Sequence, residues 1–158
     1  NYLRIALEKA QLAGDDYRVA MALVNIGISY ASEWKGSDAI PYFERALKIS
    51  EKNSYRRLIP FALNGLASAY VSPELIDTNA EKAIELTDKV LTIAQTMGDT
   101  SSLLDCLYKR SIANHHLGRL DVRDLDRAIH LAEQLGQKRF AAGIMQFRES
   151  VVTERHDS

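Results

Sequence analysis

His115 and His116, Cys106, and the series Arg119, Arg123 and Arg127 are the residues of this chain best equipped for chemistry. Their spacing decides what they can do. Adjacent helical residues point about 100° apart, so the two histidines do not form a chelating face. A zinc site wants histidines at i, i+4 and further ligands. Cys106 has no activating base near it in sequence and reads as a small buried side chain, not a nucleophile. The three arginines recur at i, i+4, i+8 beside Asp121, Asp124 and Asp126, which are expected to offset them. With Arg56 and Arg57 they read as solvated charges. No Gly-rich phosphate loop and no acid–base constellation is visible, so neither metal, cofactor nor catalysis is expected.

Composition agrees. The chain has 158 residues, 46% hydrophobic and 26% charged, as in a soluble globular domain with a sizeable core. Its 20 Lys and Arg against 21 Asp and Glu leave a net charge of −1, which argues against a nucleic-acid partner. Three prolines and eight glycines are too few for a loop-rich β fold. One cysteine cannot form an internal disulfide, and neither a signal peptide nor a long apolar run is present. A cytoplasmic protein that does not enter the membrane is expected. The first residue is Asn1 and not Met, and residues 2–13 already read as helix, so the chain looks like a piece of a larger protein.

The elements that must position any site repeat. Leu23, Leu63, Leu107 and Met145 fall in register, as do Ala6, Ala46, Val90 and Ala128, and Gly14, Ser54, Gly98 and Gly136. A recurring unit of this size is the signature of stacked helix pairs. The helical spacing of Leu23, Ile26, Gly27 and Tyr30, then of Ile40, Phe43 and Leu47, predicts an all-α chain. The expected division is residues 1–14 (the second helix of a preceding pair), 20–54, 57–98 and 101–136 (three full pairs), and 138–153 (a last helix). Expected N-caps are Ser37 and a capping box at Thr78 to Glu81, which starts the second helix of its pair near Asn79. The glycines of the third series are expected to close the second helices. Gly27, Ala67 and Ser111, with Ala46 and Ala128, should mark close helix contacts. Tyr30 and Tyr70 should cover the end of each pair. Pro60 should delay a helix start or kink the helix.

From each second helix to the next first helix the step is constant at 17 residues: Ala6 to Leu23, Ala46 to Leu63, Val90 to Leu107, Ala128 to Met145. Within a pair it varies, from 21 residues (Leu107 to Ala128) to 27 (Leu63 to Val90). Stacking should therefore fix one connection, while the other faces solvent. The insertion lies within residues 72–77, where Pro73 enforces a non-helical link.

These residues resemble the tetratricopeptide repeat family. The pattern runs Leu23, Ile26, Gly27, Tyr30, then Ala39, Phe43, Ala46. It recurs as Leu63, Leu66, Ala67, Tyr70, then Ala83, Thr87, Val90. A degraded third copy is Leu107, Ser111, Asn114, then Asp121, Leu125, Ala128. The long unit is similar to the variety found in bacterial signalling proteins and peptide-sensing regulators. The resemblance implies a right-handed superhelix of antiparallel helix pairs, with the first helices lining a concave groove.

On that expectation the free face of the first helices carries the ligand contacts. It offers Met21, Val24, Asn25 and Ile28 from the first pair, and Phe61, Asn64 and Ser68 from the second. The third supplies Asp105, Tyr108, Lys109 and Ile112, with His115 at the margin. Asn side chains suit a peptide backbone, and the aromatics supply contact area at little entropic cost. A row with only Lys109, and Arg110 beside it, is not a carboxylate clamp. The same residues also fit a structural role, as filling within a tight superhelix. The expected function is a noncatalytic module that binds a protein or peptide segment. The alternatives are the sensor half of a transcription regulator, kinase or cyclase, and a spacer or dimerisation arm that self-associates through exposed terminal helices.

Overall fold

Eight helices follow one another along residues 2–156, the part of the chain that the computed structural model describes. They are α1 (Tyr2–Leu12), α2 (Asp16–Ser32), α3 (Gly36–Lys52), α4 (Leu58–Tyr70), α5 (Ile76–Met97), α6 (Thr100–His116), α7 (Val122–Gln134) and α8 (Lys138–His156). Each packs on the next, and in addition α2 touches α4 and α4 touches α6. Among the described residues no helix is long and apolar enough to cross a membrane.

The constant 17-residue step has a backbone cause. Gly14, Ser54, Gly98 and Gly136 all adopt left-handed backbone, with φ of +66°, +56°, +67° and +69°. At each, two amides turn back on the finished helix. The Gly98 N–H donates to the Gln95 carbonyl (3.3 Å) and the Asp99 N–H to that of Ala94 (2.9 Å). The same double closure recurs at 14, 54 and 136. After 14, 98 and 136 the next residue at once begins a helix, the carbonyls of Asp15, Asp99 and Gln137 accepting from the amides of Val19, Leu103 and Ala141; after Ser54 a turn through Arg56 and Arg57 precedes α4. At the three glycines one left-handed residue thus reverses the chain with no slack, and an added residue would break the next helix start.

Within the pairs, Trp34 (φ +61°) and Gly118 (φ +70°) close α2 and α6 in the same way. The α4–α5 connection differs. There the Ser72 carbonyl accepts from the amides of Leu75 and Ile76, both at 3.0 Å, and α5 begins at Ile76. The expected capping box is therefore wrong. Thr78 lies inside the helix, and the Asn79 side chain donates back to the Leu75 carbonyl at 2.9 Å. Leu75 and Ile76 pack half-buried against the core, and that burial draws the helix start forward.

The expectation that this insertion faces solvent holds only in part: Pro73, Glu74 and Asp77 are exposed, Leu75 and Ile76 half-buried. Ser72 is buried, and a Cβ on Gly36 would stand 2.6 Å from the Ala69 carbonyl and overlap Ser72. Glu74 accepts the Ser37 amide at 2.7 Å. Ser37 is therefore not an N-cap. It lies within α3, whose start has no side-chain cap of its own and is capped by a carboxylate from the next pair.

Leu23, Leu63 and Leu107, and Ala46, Val90 and Ala128, are buried as the repeat register requires. Met145 departs from it, being 37% exposed while Ile144 is fully buried. The last helix packs on α7 and reaches α6, and the face that holds Met145 carries no helix among the described residues. Phe43 is the largest fully buried side chain. Its ring, borne on α3, lies between α2 and α4. A Cβ on Gly27 would stand 2.8 Å from it, and one on Gly65 would overlap it. Gly27 is thus small to admit a ring, not to bring two backbones together, and Gly65 does the same work unforeseen. Pro60 falls in the first turn of α4, where its missing N–H leaves no gap. Tyr30 stacks on Tyr42 at 5.4 Å, and Tyr70 lies buried beneath the Lys82 ammonium.

Two predictions follow from this geometry. In an isolated helix Gly→Ala gains about 1 kcal/mol. Here Gly65→Ala should instead lower the unfolding free energy by about 1–3 kcal/mol, and the cost should shrink in a Phe43→Leu background. Denaturant titration of the four proteins checks the sign and the coupling. Trp34→Gly and Ser54→Gly each relieve a left-handed non-glycine residue and should raise stability by about 1 kcal/mol, seen as a higher Tm.

Candidate binding cleft

The first helices α2, α4 and α6 share a cleft of about 410 Å³. Ile28, Ala31 and Ser32 of α2 form one wall, Phe61, Asn64, Gly65 and Ser68 of α4 the centre, and Asp105 and Lys109 of α6 the other wall. A second chamber of about 320 Å³ adjoins it, with Phe61, Asn64 and Asp105 in common. Ser101, Ser102, Gln137 and Phe140 line that chamber, so it lies at the N-terminal ends of α6 and α8. Phe61 is the ridge between the two and is 57% exposed; Ile28 is 50% exposed.

Six of the eleven expected contact residues therefore meet: Ile28, Phe61, Asn64, Ser68, Asp105 and Lys109. The other five do not. Val24 is buried in the core. Met21 and Asn25 face a different cleft of about 370 Å³ between α1 and α2, floored by Ala6, Ala10 and Ala22. Tyr108 packs edge-on to Phe140 (5.3 Å) and Phe147 (6.2 Å) of α8, and burial raises its pKa. Ile112 is half-buried and outside the cleft. Residues 21, 24, 25 and 28 form one stripe along α2, but different neighbours meet it along its length: Met21 and Asn25 border α1, Val24 enters the core, and Ile28 reaches the cleft shared with α4. Gln137 and Phe140 were missed because α8 was read as a terminal helix and not as a wall.

Asn64, Asp105 and Lys109 of the cleft are engaged with one another. Asn64 donates through Nδ2 to Asp105 Oδ2 (2.5 Å). Lys109 donates through Nζ to the same oxygen (2.6 Å) and to Asn64 Oδ1 (2.8 Å). The Lys109 side chain is only 12% exposed, and an ammonium at that depth needs acceptors. Both ends of the Asn64 amide are thereby committed, so it ties α4 to α6 instead of standing free for a peptide backbone. Behind the network Cys106 is fully buried, and that burial pushes its thiol up to about 12. It is a core thiol, as its sequence setting implies.

Arg110 turns away from the cleft. Its guanidinium binds Asp88 of α5 (2.9 Å) and Asp124 of α7 (3.0 Å), clamping three helices. The expected local offset of arginines by aspartates is therefore only partly present. Asp121 pairs with Arg123 (2.6 Å), but Asp124 serves Arg110, Asp126 serves Arg148 (2.5 Å), and Arg119 reaches Glu81 of α5 (2.6 Å). His116 contacts Asp77 (3.3 Å), while His115 packs edge-on against Phe147 (5.4 Å). Adjacent helical side chains diverge, and these two diverge onto α5 and α8. No protein-family model matches the chain, and no curated protein matches it.

At the edge of the second chamber Asp99 caps α6, accepting the Ser102 amide (3.1 Å) and hydroxyl (2.6 Å). The Ser102 bonds hold its carboxyl below the ordinary carboxylate value. A depressed folded-state pKa adds stability above the unfolded value, about 3.9, and this is lost as pH falls through the folded one. Asp99→Ala should therefore cost about 1 kcal/mol at neutral pH, and the gap to the parent protein should close below about pH 4 in acid titrations followed by circular dichroism.

Proposed function

We propose that the chain is a noncatalytic interaction module of the tetratricopeptide type, which takes an apolar protein or peptide segment in the cleft between α2, α4 and α6. The supporting geometry begins with the array. First helices touch one another, α2 with α4 and α4 with α6, while α3 and α5 make no comparable approach. An array tighter on one side curves toward that side, which supports a superhelix with the first helices on its concave face.

One observation carries the reading. Phe61 and Ile28 stand exposed in a concave site whose amide and charged side chains are already bonded to each other. Such a surface gains little from a polar ligand and much from covering its apolar side chains. The groups equipped for chemistry fit a binding role better than a reaction: Cys106 is sealed in the core, and Asp105 and Lys109 neutralise each other.

A random-peptide library displayed on phage and panned on the immobilised protein tests this. Phe61→Ser should weaken captured peptides at least about tenfold, the scale of a central aromatic anchor. Because Phe61 is mostly exposed, the same variant should unfold within about 0.5 kcal/mol of the parent. Peptides that bind Phe61→Ser as well as the parent would place the site elsewhere, and an empty selection would remove it.

A further inference from the structure

The unengaged charge around the second chamber is mainly positive: four cations stand against two acids, Glu51 at the end of α3 and Glu133 at the end of α7. Arg56 and Arg57 directly precede α4, and Lys138 and Arg139 open α8. All four are exposed, and none has a side-chain partner among the described residues. The acids at this end of the first helices are all engaged. Asp15 accepts the Arg18 amide (3.0 Å) and pairs with its guanidinium (3.2 Å). Asp16 holds the Asn53 amide, Asp99 caps α6, and Asp105 is bound to Asn64 and Lys109. At the opposite end the cations are the engaged ones: Lys35 with Glu33, Arg119 with Glu81, Arg123 with Asp121. A chain of net charge −1 thus presents an excess of free cations where the polar chamber opens.

Resting on the cleft reading above, we infer that the partner is an acidic-flanked apolar peptide segment. Its apolar or aromatic side chain covers Phe61 and Ile28, and its Asp or Glu residues lie to one side, at the starts of α4 and α8. Charge of this kind sets orientation and partner choice more than total affinity. These cations lie outside the row of cleft-facing residues, in which Lys109 is the only base and is already paired.

The experiment sequences the peptides captured from the random library and measures one of them by fluorescence anisotropy. Asp and Glu should be enriched on one flank of an apolar anchor. The double reversal Arg57→Glu with Arg139→Glu should weaken that peptide about tenfold or more, and replacing its acidic residues by Lys should restore binding to the variant. An acidic residue at a helix start favours the helix, so the reversal keeps the fold. Peptides that need Phe61 but carry no acidic flank, or that ignore the reversal, overturn the inference and leave the cleft reading standing. Peptides indifferent to Phe61→Ser overturn both.

Discussion

A single left-handed residue at the end of each second helix sets the geometry of the whole array. Gly14, Ser54, Gly98 and Gly136 each close one helix through two backward hydrogen bonds, and at the three glycines the following residue opens the next. Such a joint has no spare length. It fixes the register in which each pair meets its neighbour, and therefore which side chains of α2, α4 and α6 share a cleft. Chain length varies within the pairs, and the largest insertion sits after α4, where the joint is absent.

The insertion is not idle. By seating Ser72 on Gly36 and Glu74 on the Ser37 amide it locks the start of α3 to the end of α4. Phe43 makes the complementary contact deeper in the same interface, a ring from α3 received by glycines on α2 and α4. The two contacts hold α2, α3 and α4 as one unit, and α4 then carries Phe61 on a fixed base. The third interface is polar instead of apolar. There the Asn64, Asp105 and Lys109 network joins α4 to α6, while Arg110 ties α6 to α5 and α7.

That difference shapes the cleft. Its α2 side offers Ile28 and Ala31, its α6 side a closed polar network, and Phe61 stands between them. A network satisfied within the protein contributes little to holding a ligand, because a ligand group would have to replace bonds already made. The exposed aromatic ridge and the unpaired cations beyond it are the features left for a partner.

The sequence by itself determined the helices, the pairing and the joints. Positions of small and apolar residues recur with the period of the stack, and the left-handed joint after each second helix leaves a Gly or a Ser as its mark. It also placed Ile28, Phe61 and Asp105 on one side of the array, since a helical face follows from spacing alone. It did not reveal that Glu74 caps α3, that Gly65 exists for Phe43, or that Asp124 and Asp126 answer Arg110 and Arg148 and not their chain neighbours. Nor did it show that Val24, Met21 and Tyr108 leave the cleft. Those facts depend on which side chains meet across helices tens of residues apart in the chain. Local periodicity carries no information about such meetings, and only the tertiary structure decides them.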